Sequence, residues 1–195
     1  MKIAFLWIKN DEGNFVNSKF EITTERLKLR AYKLDNWERV HIYGSNPDFS
    51  KYELRGPNSV EDTRKFVADM VEQSKSNSRY KFDFAICLKE KDLLIGGCGI
   101  RRETEISHVA NLGWAINPEF QSKGFATEAA TALINFGFEE LELAVIYATC
   151  DTRNNPSFKV MEKIGMKKVG FIKGTKEIKG HVRDSFRYEI LANGY

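Results

Sequence analysis

Cysteine is scarce. Cys87, Cys98 and Cys150 are the only three in 195 residues. They are odd in number, each sits in an apolar or strand-like run, and no C-x-x-C spacing occurs, so a disulfide framework, a zinc ribbon and a dithiol redox centre are all excluded as readings. Reduced, buried thiols are expected. Histidine is limited to three residues, and no His/Cys/Asp/Glu spacing implies a metal. Proline numbers four, and no low-complexity tract stands out. Long apolar runs are missing as well. Ile3-Ala4-Phe5-Leu6-Trp7-Ile8 is too short to span a bilayer and is not followed by a small-residue cleavage site, so the expected location is cytoplasmic, with no membrane partner. Nor is one sign of charge in large excess. A net charge of +3 without a dense Lys/Arg stripe argues against a dedicated nucleic-acid binder, while favouring the approach of an anionic cofactor.

What is present is ordinary globular material, 42% hydrophobic and 29% charged. At this length folding removes roughly 70% of the unfolded chain's surface from water, enough for a core without staples. Lys2 to Ile8 and Phe15 to Ile22 are β-prone runs around the polar turn Asn10 to Asn14, so residues 1–22 are expected to form an accessory hairpin, with the main domain occupying 23–195. Glu25 to Arg30 alternates charge with leucine, the period of a half-buried strand. Asp35 is placed to cap a short helix through Val40 to Tyr43. Ser59 and Asp62 form a capping box for a helix burying Phe66, Val67, Met70 and Val71. Phe82 to Leu88, Leu93 to Ile100 and Val109 to Ile116 read as an antiparallel meander. Gly124 to Leu141 is the strongest helix, with Phe125, Ala129, Ala132, Leu133 and Phe136 on one face. Val145 to Cys150 is a strand, Asn155-Pro156 opens a helix ending at Gly165, and Lys167 to Lys173 and Arg183 to Leu191 complete the sheet. Alternating strands and helices without a long linker give a single mixed α/β domain.

The most informative run is Ile116-Asn117-Pro118-Glu119-Phe120-Gln121-Ser122-Lys123-Gly124-Phe125-Ala126-Thr127-Glu128-Ala129. It presents a strand end, a loop and a helix start in sequence, an order that exposes helix N-terminal amides and the positive end of the dipole to an anion. Gly124 and Ala126 would let the backbone approach a pyrophosphate, and Lys123 adds a point charge. Taken alone, the Gly-x-Ala pair is equally explained by tight strand-to-helix packing. It is not a Walker loop, since no Gly-Lys-Ser/Thr follows, and it lacks the third glycine of a dinucleotide-binding fingerprint.

In these residues the chain resembles the GNAT superfamily of acyl-CoA-dependent N-acetyltransferases, whose Gln/Arg-x-x-Gly-x-Gly/Ala signature is met by Gln121, Gly124 and Ala126. The likeness continues through Thr24 to Arg30, Ile95-Gly96, Asn154-Asn155-Pro156-Ser157, Glu162-Lys163-Ile164-Gly165 and Lys179-Gly180 with Asp184, Tyr188 and Leu191. Over residues 23–191 it looks like the branch containing the ribosomal-protein N-terminal acetyltransferases. The resemblance implies a three-layer α/β fold, with a mostly antiparallel sheet splayed between its fourth and fifth core strands, Val109 to Ile116 and Val145 to Cys150, and helices on both faces. It also implies acetyl-CoA as acetyl donor and no metal. Pantetheine would lie in the splay beside Ile116, the pyrophosphate on Gln121, Ser122, Lys123, Gly124, Phe125, Ala126 and Thr127, and the opposite wall would comprise Asn154, Ser157, Phe158 and Lys163.

Acetyl transfer to an amine requires deprotonation, alignment, oxyanion stabilisation and a protonated or polarised leaving thiolate. The resemblance places Ser157 near the sulfur as a hydroxyl donor, a residue otherwise read as a helix-cap hydroxyl. The branch commonly carries a glutamate where this chain has Asn111. An amide cannot act as a base, which leaves Asn111 to position water or substrate and proton removal to a water chain, a nearby loop carboxylate or a histidine. His108 and His181 are nearby but have ordinary structural roles open to them. Cys150 is the one conceivable covalent nucleophile, with nothing in sequence pairing it to a base. The expected reaction is direct attack in a ternary complex, by a protein N-terminal α-amine or by a small amine such as a polyamine, amino sugar or antibiotic. The acceptor is expected beside Tyr52 to Pro57 and the Lys176 to Arg183 hairpin. A non-catalytic acyl-CoA sensor is the rival reading, and the chain is expected to be a monomer or a homodimer.

Overall fold

A computed structural model describes residues 2–9, 15–53, 56–75, 80–174 and 177–194. The expected turn Asn10 to Asn14 lies outside these residues, as do Leu54, Arg55 and Lys176 of the expected acceptor side. Nine strands form one sheet: β1 (Lys2–Lys9), β2 (Phe15–Thr23), β3 (Leu27–Arg30), β4 (Lys81–Leu88), β5 (Leu93–Arg102), β6 (Val109–Ile116), β7 (Val145–Asp151), β8 (Lys167–Ile172) and β11 (Ser185–Leu191). Their order across the sheet is β1-β2-β3-β4-β5-β6-β7-β11-β8. Two short strands, β9 (Glu177–Ile178) and β10 (His181–Val182), pair with each other beside it. Neighbours are antiparallel except β6 and β7, which run parallel.

The helices are α1 (Trp37–Gly44), α2 (Pro47–Ser50), α3 (Val60–Lys75), α4 (Phe125–Glu139) and α5 (Asn155–Lys163). Period-2 alternation along β4 sorts them into two layers. Phe84 and Ile86 join the core under α4, with Leu133, Phe136 and Ile146, whereas Ala85 and Cys87 join a second cluster with Tyr32, Val40, Tyr43 and Val67. Helices α1 and α3 therefore cover one face, while α4 and α5 cover the other. The expected apolar face of α4 is the buried one: Ala129, Ala132, Leu133 and Phe136 are at most 3% exposed. In its last turn Gly137 lets the helix settle onto the sheet, since a Cβ there would meet Ile100 Cδ1 and Ile146 Cδ1 at 2.8 Å. Ser59 and Asp62 form the expected reciprocal cap, with Ser59 N to Asp62 Oδ2 at 3.0 Å and Asp62 N to Ser59 Oγ at 3.1 Å.

Several boundaries differ from expectation. Asp35 does not cap α1. It lies in a 3-10 turn, Leu34–Asn36, that runs directly into the helix, and its carboxylate accepts from Asn36 Nδ2 at 3.0 Å. Asn155 does not cap α5. Asn154 takes that place, accepting the Ser157 amide at 3.3 Å, so that Asn155 and Pro156 fall in the first turn. β3 begins at Leu27, not Glu25, because the Arg26 amide turns away to Glu128 Oε1 at 2.9 Å. Pro47–Ser50, for which no helix was expected, folds into one turn capped by Asn46.

Candidate active site

The feature that organises the site is a partial pairing. β6 and β7 are in register only at Val109, Ala110 and Asn111 with Val145, Ile146 and Tyr147. Beyond Asn111, β6 continues to Ile116 still paired with β5, and β7 continues to Asp151 still paired with β11. The two parallel strands thus diverge, and the inner edge of each loses its sheet neighbour. Asn111 stands at the vertex, where its Nδ2 reaches Tyr147 O across the gap at a long 3.5 Å. Gly113 faces open space, since a Cβ there would meet nothing within 4 Å.

At the open end of β6 the chain turns through Pro118–Phe120 and enters α4. Two left-handed residues shape the entry: Ser122 at φ 59° and Gly124, the N-cap, at φ 82°. Glycine suits the second because that region penalises a Cβ. The first intrahelical bond runs from Glu128 N to Gly124 O at 3.0 Å, so the amides of Phe125, Ala126 and Thr127 precede any acceptor within the helix. Gln121 folds back, its Nε2 donating to Ile116 O at 2.9 Å, and Lys123 Nζ donates to Glu119 O at 2.9 Å. The loop is held from outside. Arg26 Nε pairs with Glu128 Oε2 at 2.6 Å, Arg26 Nη1 donates to Lys123 O at 3.1 Å, and Thr24 Oγ1 donates to Glu128 Oε1 at 2.6 Å. Burial opposes ionisation of Glu128, but the Thr24 and Arg26 hydrogen bonds outweigh it and hold the carboxyl below its usual range. Arg26 also lies over the Phe125 ring, 4.6 Å from its centroid. This clamp was not singled out in the sequence, where Arg26 and Glu128 are a hundred residues apart.

The other wall is α5. Asn154 and Ser157 come together at its first turn, where Asn154 rather than the Ser157 hydroxyl supplies the cap. Phe158 stacks on Tyr188, with centroids 6.2 Å apart and planes at 22°, and thereby fixes the helix against β11. Lys163 is exposed at the far end, roughly 9 Å along the axis from Ser157. Of the two histidines considered, His108 lies at the closed end, its Nδ1 2.9 Å from Glu142 O. Cys150 is buried, and burial pushes its thiol up to about 12 against the nearby Arg183, so it remains protonated and a poor nucleophile.

Beyond the end of β7 a cleft opens between Lys51, Tyr52 and Glu53, the Asp151–Arg153 turn, and Lys179, His181 and Arg183 of the β9–β10 hairpin. Its two carboxylates differ. Asp151 is 2% exposed and takes Arg153 Nε at 2.9 Å and Nη2 at 2.8 Å, bonds that hold its carboxyl low. Glu53, though exposed as a residue, is raised, chiefly by loss of solvent around its carboxyl, with Arg183 and Lys179 opposing the shift. Three distant segments build this cleft; sequence reasoning placed the acceptor beside two of them, without the Asp151–Arg153 turn and without singling out Glu53 or Arg183.

The gap, the glycine-led helix start and the facing α5 turn suit a long ligand with a diphosphate at one end: free amides meet the anion, and unpaired strand edges meet an amide-bearing tail. Among the described residues no cluster suited to a metal occurs. Residues 26–167 match the family model described as an acetyltransferase (GNAT) domain. The chain is similar to an uncharacterized N-acetyltransferase of Bacillus subtilis, YnaD, at 36% identity over 87% of this chain and 96% of that one. It is also similar to the spermidine N(1)-acetyltransferase of Escherichia coli, at 27% identity over 87% and 88%. Among solved structures, a GNAT-family acetyltransferase from Bacillus anthracis superposes with a TM-score of 0.80, at 35% identity over 89% of this chain and 99% of that one. These relatives differ in what they are named for, and they support the family rather than its ribosomal-protein branch. With the parted strands and the helix entry that this family's chemistry requires both in place, the chain belongs to the GNAT family of acetyltransferases.

Proposed function

We propose that this acetyltransferase moves the acetyl group of acetyl-CoA directly onto a primary amine held in the charged cleft, with Glu53 taking the amine's proton. The divergence of β6 and β7 after Asn111 carries the reading, because it leaves the inner edges of both strands unpaired between the loop at α4 and the end of β7, beside which the cleft lies. Acetyl-CoA is a substrate here, bringing an acetyl group activated as a thioester.

The chain's own residues divide the work. The amides of Phe125, Ala126 and Thr127, with Ser122, Lys123 and Gly124, receive the diphosphate, and the Arg26–Glu128 clamp holds that loop in shape. Gln121 braces the loop against Ile116, while Asn154 and Phe158 set the first turn of α5. Lys163 adds positive charge at the outer end of that wall. Ser157 donates its hydroxyl to the departing sulfur. Asn111 holds the vertex and orients water or the amine.

An ammonium ion is not nucleophilic, so a proton acceptor is needed within the cleft. Of the cleft's two carboxylates, Asp151 is committed to Arg153 and is held in its ionised, weakly basic form. Glu53 is shifted toward greater proton affinity, the direction in which a carboxylate gains strength as a general base. A covalent route through Cys150 is disfavoured by the same burial that raises its thiol. The test is release of free thiol from acetyl-CoA in the presence of amines, followed by mass spectrometry of the acceptor. An acetylated amine is expected, and tight CoA binding without turnover of any amine would favour the sensor reading instead.

A further inference from the structure

The cleft's charge is opposite to what a polycationic acceptor would call for. Among its described lining residues, Lys51, Arg153, Lys179 and Arg183 outnumber Glu53 and Asp151. Internal pairing removes part of this set. Arg153 is spent on Asp151, and Lys179 Nζ donates to Ser50 O at 2.6 Å. Arg183 is different, because its Nε is buried and has no hydrogen-bond partner among the described residues. A buried guanidinium nitrogen without a partner is costly, and a ligand oxygen would relieve that cost.

The backbone that carries Arg183 is anchored through the residue that follows it. Asp184 O accepts Thr152 N at 3.0 Å, and Asp184 Oδ1 accepts Gly174 N at 2.8 Å. The guanidinium is therefore presented from a fixed point next to Glu53, which senses its charge. A guanidinium fork matches the paired oxygens of a carboxylate or phosphate, whereas a polyamine would bring its second and third positive charges against Lys51, Lys179 and Arg183.

We infer that the acceptor is an amine bearing a carboxylate or phosphate close to its nitrogen, with the anion bound by Arg183 and the amine turned toward Glu53. This rests on the acetyl-transfer reading above and adds a substrate class to it. Acidic peptide N-termini and small anionic amines share that chemistry. None of the cleft residues belongs to the α4 entry, so the anion site is separate from the diphosphate site.

The experiment compares matched acceptors with saturating acetyl-CoA: the peptide amides Ser-Glu-Glu, Ser-Gln-Gln and Ser-Lys-Lys, phosphoethanolamine against ethanolamine, glycine against glycinamide, and spermidine. Anionic members are expected to exceed their neutral partners in kcat/KM by roughly 10- to 100-fold, the worth of one charge-assisted hydrogen-bonded pair. Spermidine is expected to fall below both. R183Q should erase the preference through KM, with CoA affinity by calorimetry unchanged, and Arg183→Lys should restore part of it and guard against a folding artefact. Turnover confined to the peptides assigns a polypeptide terminus, and turnover confined to the small amines assigns a metabolite. If CoA binds but nothing turns over, the same panel is titrated into the CoA complex, where anionic members should bind about tenfold or more tighter. Equal or better use of neutral or cationic members, or loss of CoA affinity in R183Q, overturns the inference. Failure of CoA to bind the unaltered protein would instead overturn the acetyl-transfer reading beneath it.

Discussion

The two ends proposed to receive donor and acceptor are built by different means. At the α4 entry the backbone would do the recognising: amides ahead of the first helical bond and a left-handed glycine, with a clamp from Thr24 and Arg26 holding the loop. In the cleft beyond β7, long side chains would do it, drawn from residues 51–53, 151–153 and 179–183. A backbone site tolerates few substitutions and suits an invariant ligand such as a diphosphate. A side-chain site is readily altered, and it suits the partner that differs from one acetyltransferase to the next. The donor end therefore announces the family, while the acceptor end carries what is particular to this chain.

Substitutions at each end should separate the two. The largest effect is expected from Glu53→Gln, which should lower kcat/KM about 10²- to 10⁴-fold with CoA affinity unaltered, and should abolish the acidic limb of the pH–rate profile. Because Arg183 holds the Glu53 carboxyl down, R183Q should move that limb to higher pH; a limb that stays put would remove Glu53 from the role of base. Next comes Gly124→Val. At φ 82° a β-branched residue is strained by about 1–3 kcal/mol, and its Cβ would press on Arg26 Nη2 at 3.3 Å, so calorimetry should show CoA affinity weakened roughly 10- to 100-fold. Acceptor selectivity should survive at saturating CoA. Ser157→Ala should reduce kcat about tenfold with little change in the KM for acetyl-CoA, as befits an interaction made as the thiolate leaves.

The smallest effect concerns the clamp. The Glu128 carboxyl titrates below its unfolded value of 4.5, so it contributes stability above that pH and loses it as pH falls through the lower, folded value. A melting-temperature gap of a few degrees between the unaltered protein and Glu128→Gln is expected at neutral pH, closing below about pH 4.5. A gap independent of pH would mean that Glu128 acts by packing alone.

The same division explains what could be read before the structure. The α4 face, the Ser59–Asp62 cap and the meander β4–β5–β6 follow from local period and capping chemistry, which a linear sequence carries in full. One cap slipped by a residue, Asn155 for Asn154, where adjacent asparagines have equal capping chemistry and only the surrounding fold chooses between them, while Asp35 failed because a 3-10 turn leads straight into α1 and Asn36, in the N-cap position, makes no side-chain cap. The splay came from the family resemblance, because nothing in the pattern of Val109 to Ile116 marks the point where pairing with β7 stops. Glu53, Arg153 and Arg183 had no local signature at all. Each is an ordinary surface-type residue until three segments meet, and the pairing of Asp151 with Arg153 and the raised Glu53 exist only in that meeting.

The central claim is that helix-start amides grip the diphosphate of CoA and that the gap between β6 and β7 receives its tail. A crystal structure of the CoA complex tests it most directly. The account predicts phosphate oxygens within about 3 Å of the amides between Ser122 and Thr127, and the pantetheine alongside the unpaired edge of β6. A diphosphate seated elsewhere, with β6 and β7 closed on each other beyond Asn111, would contradict it.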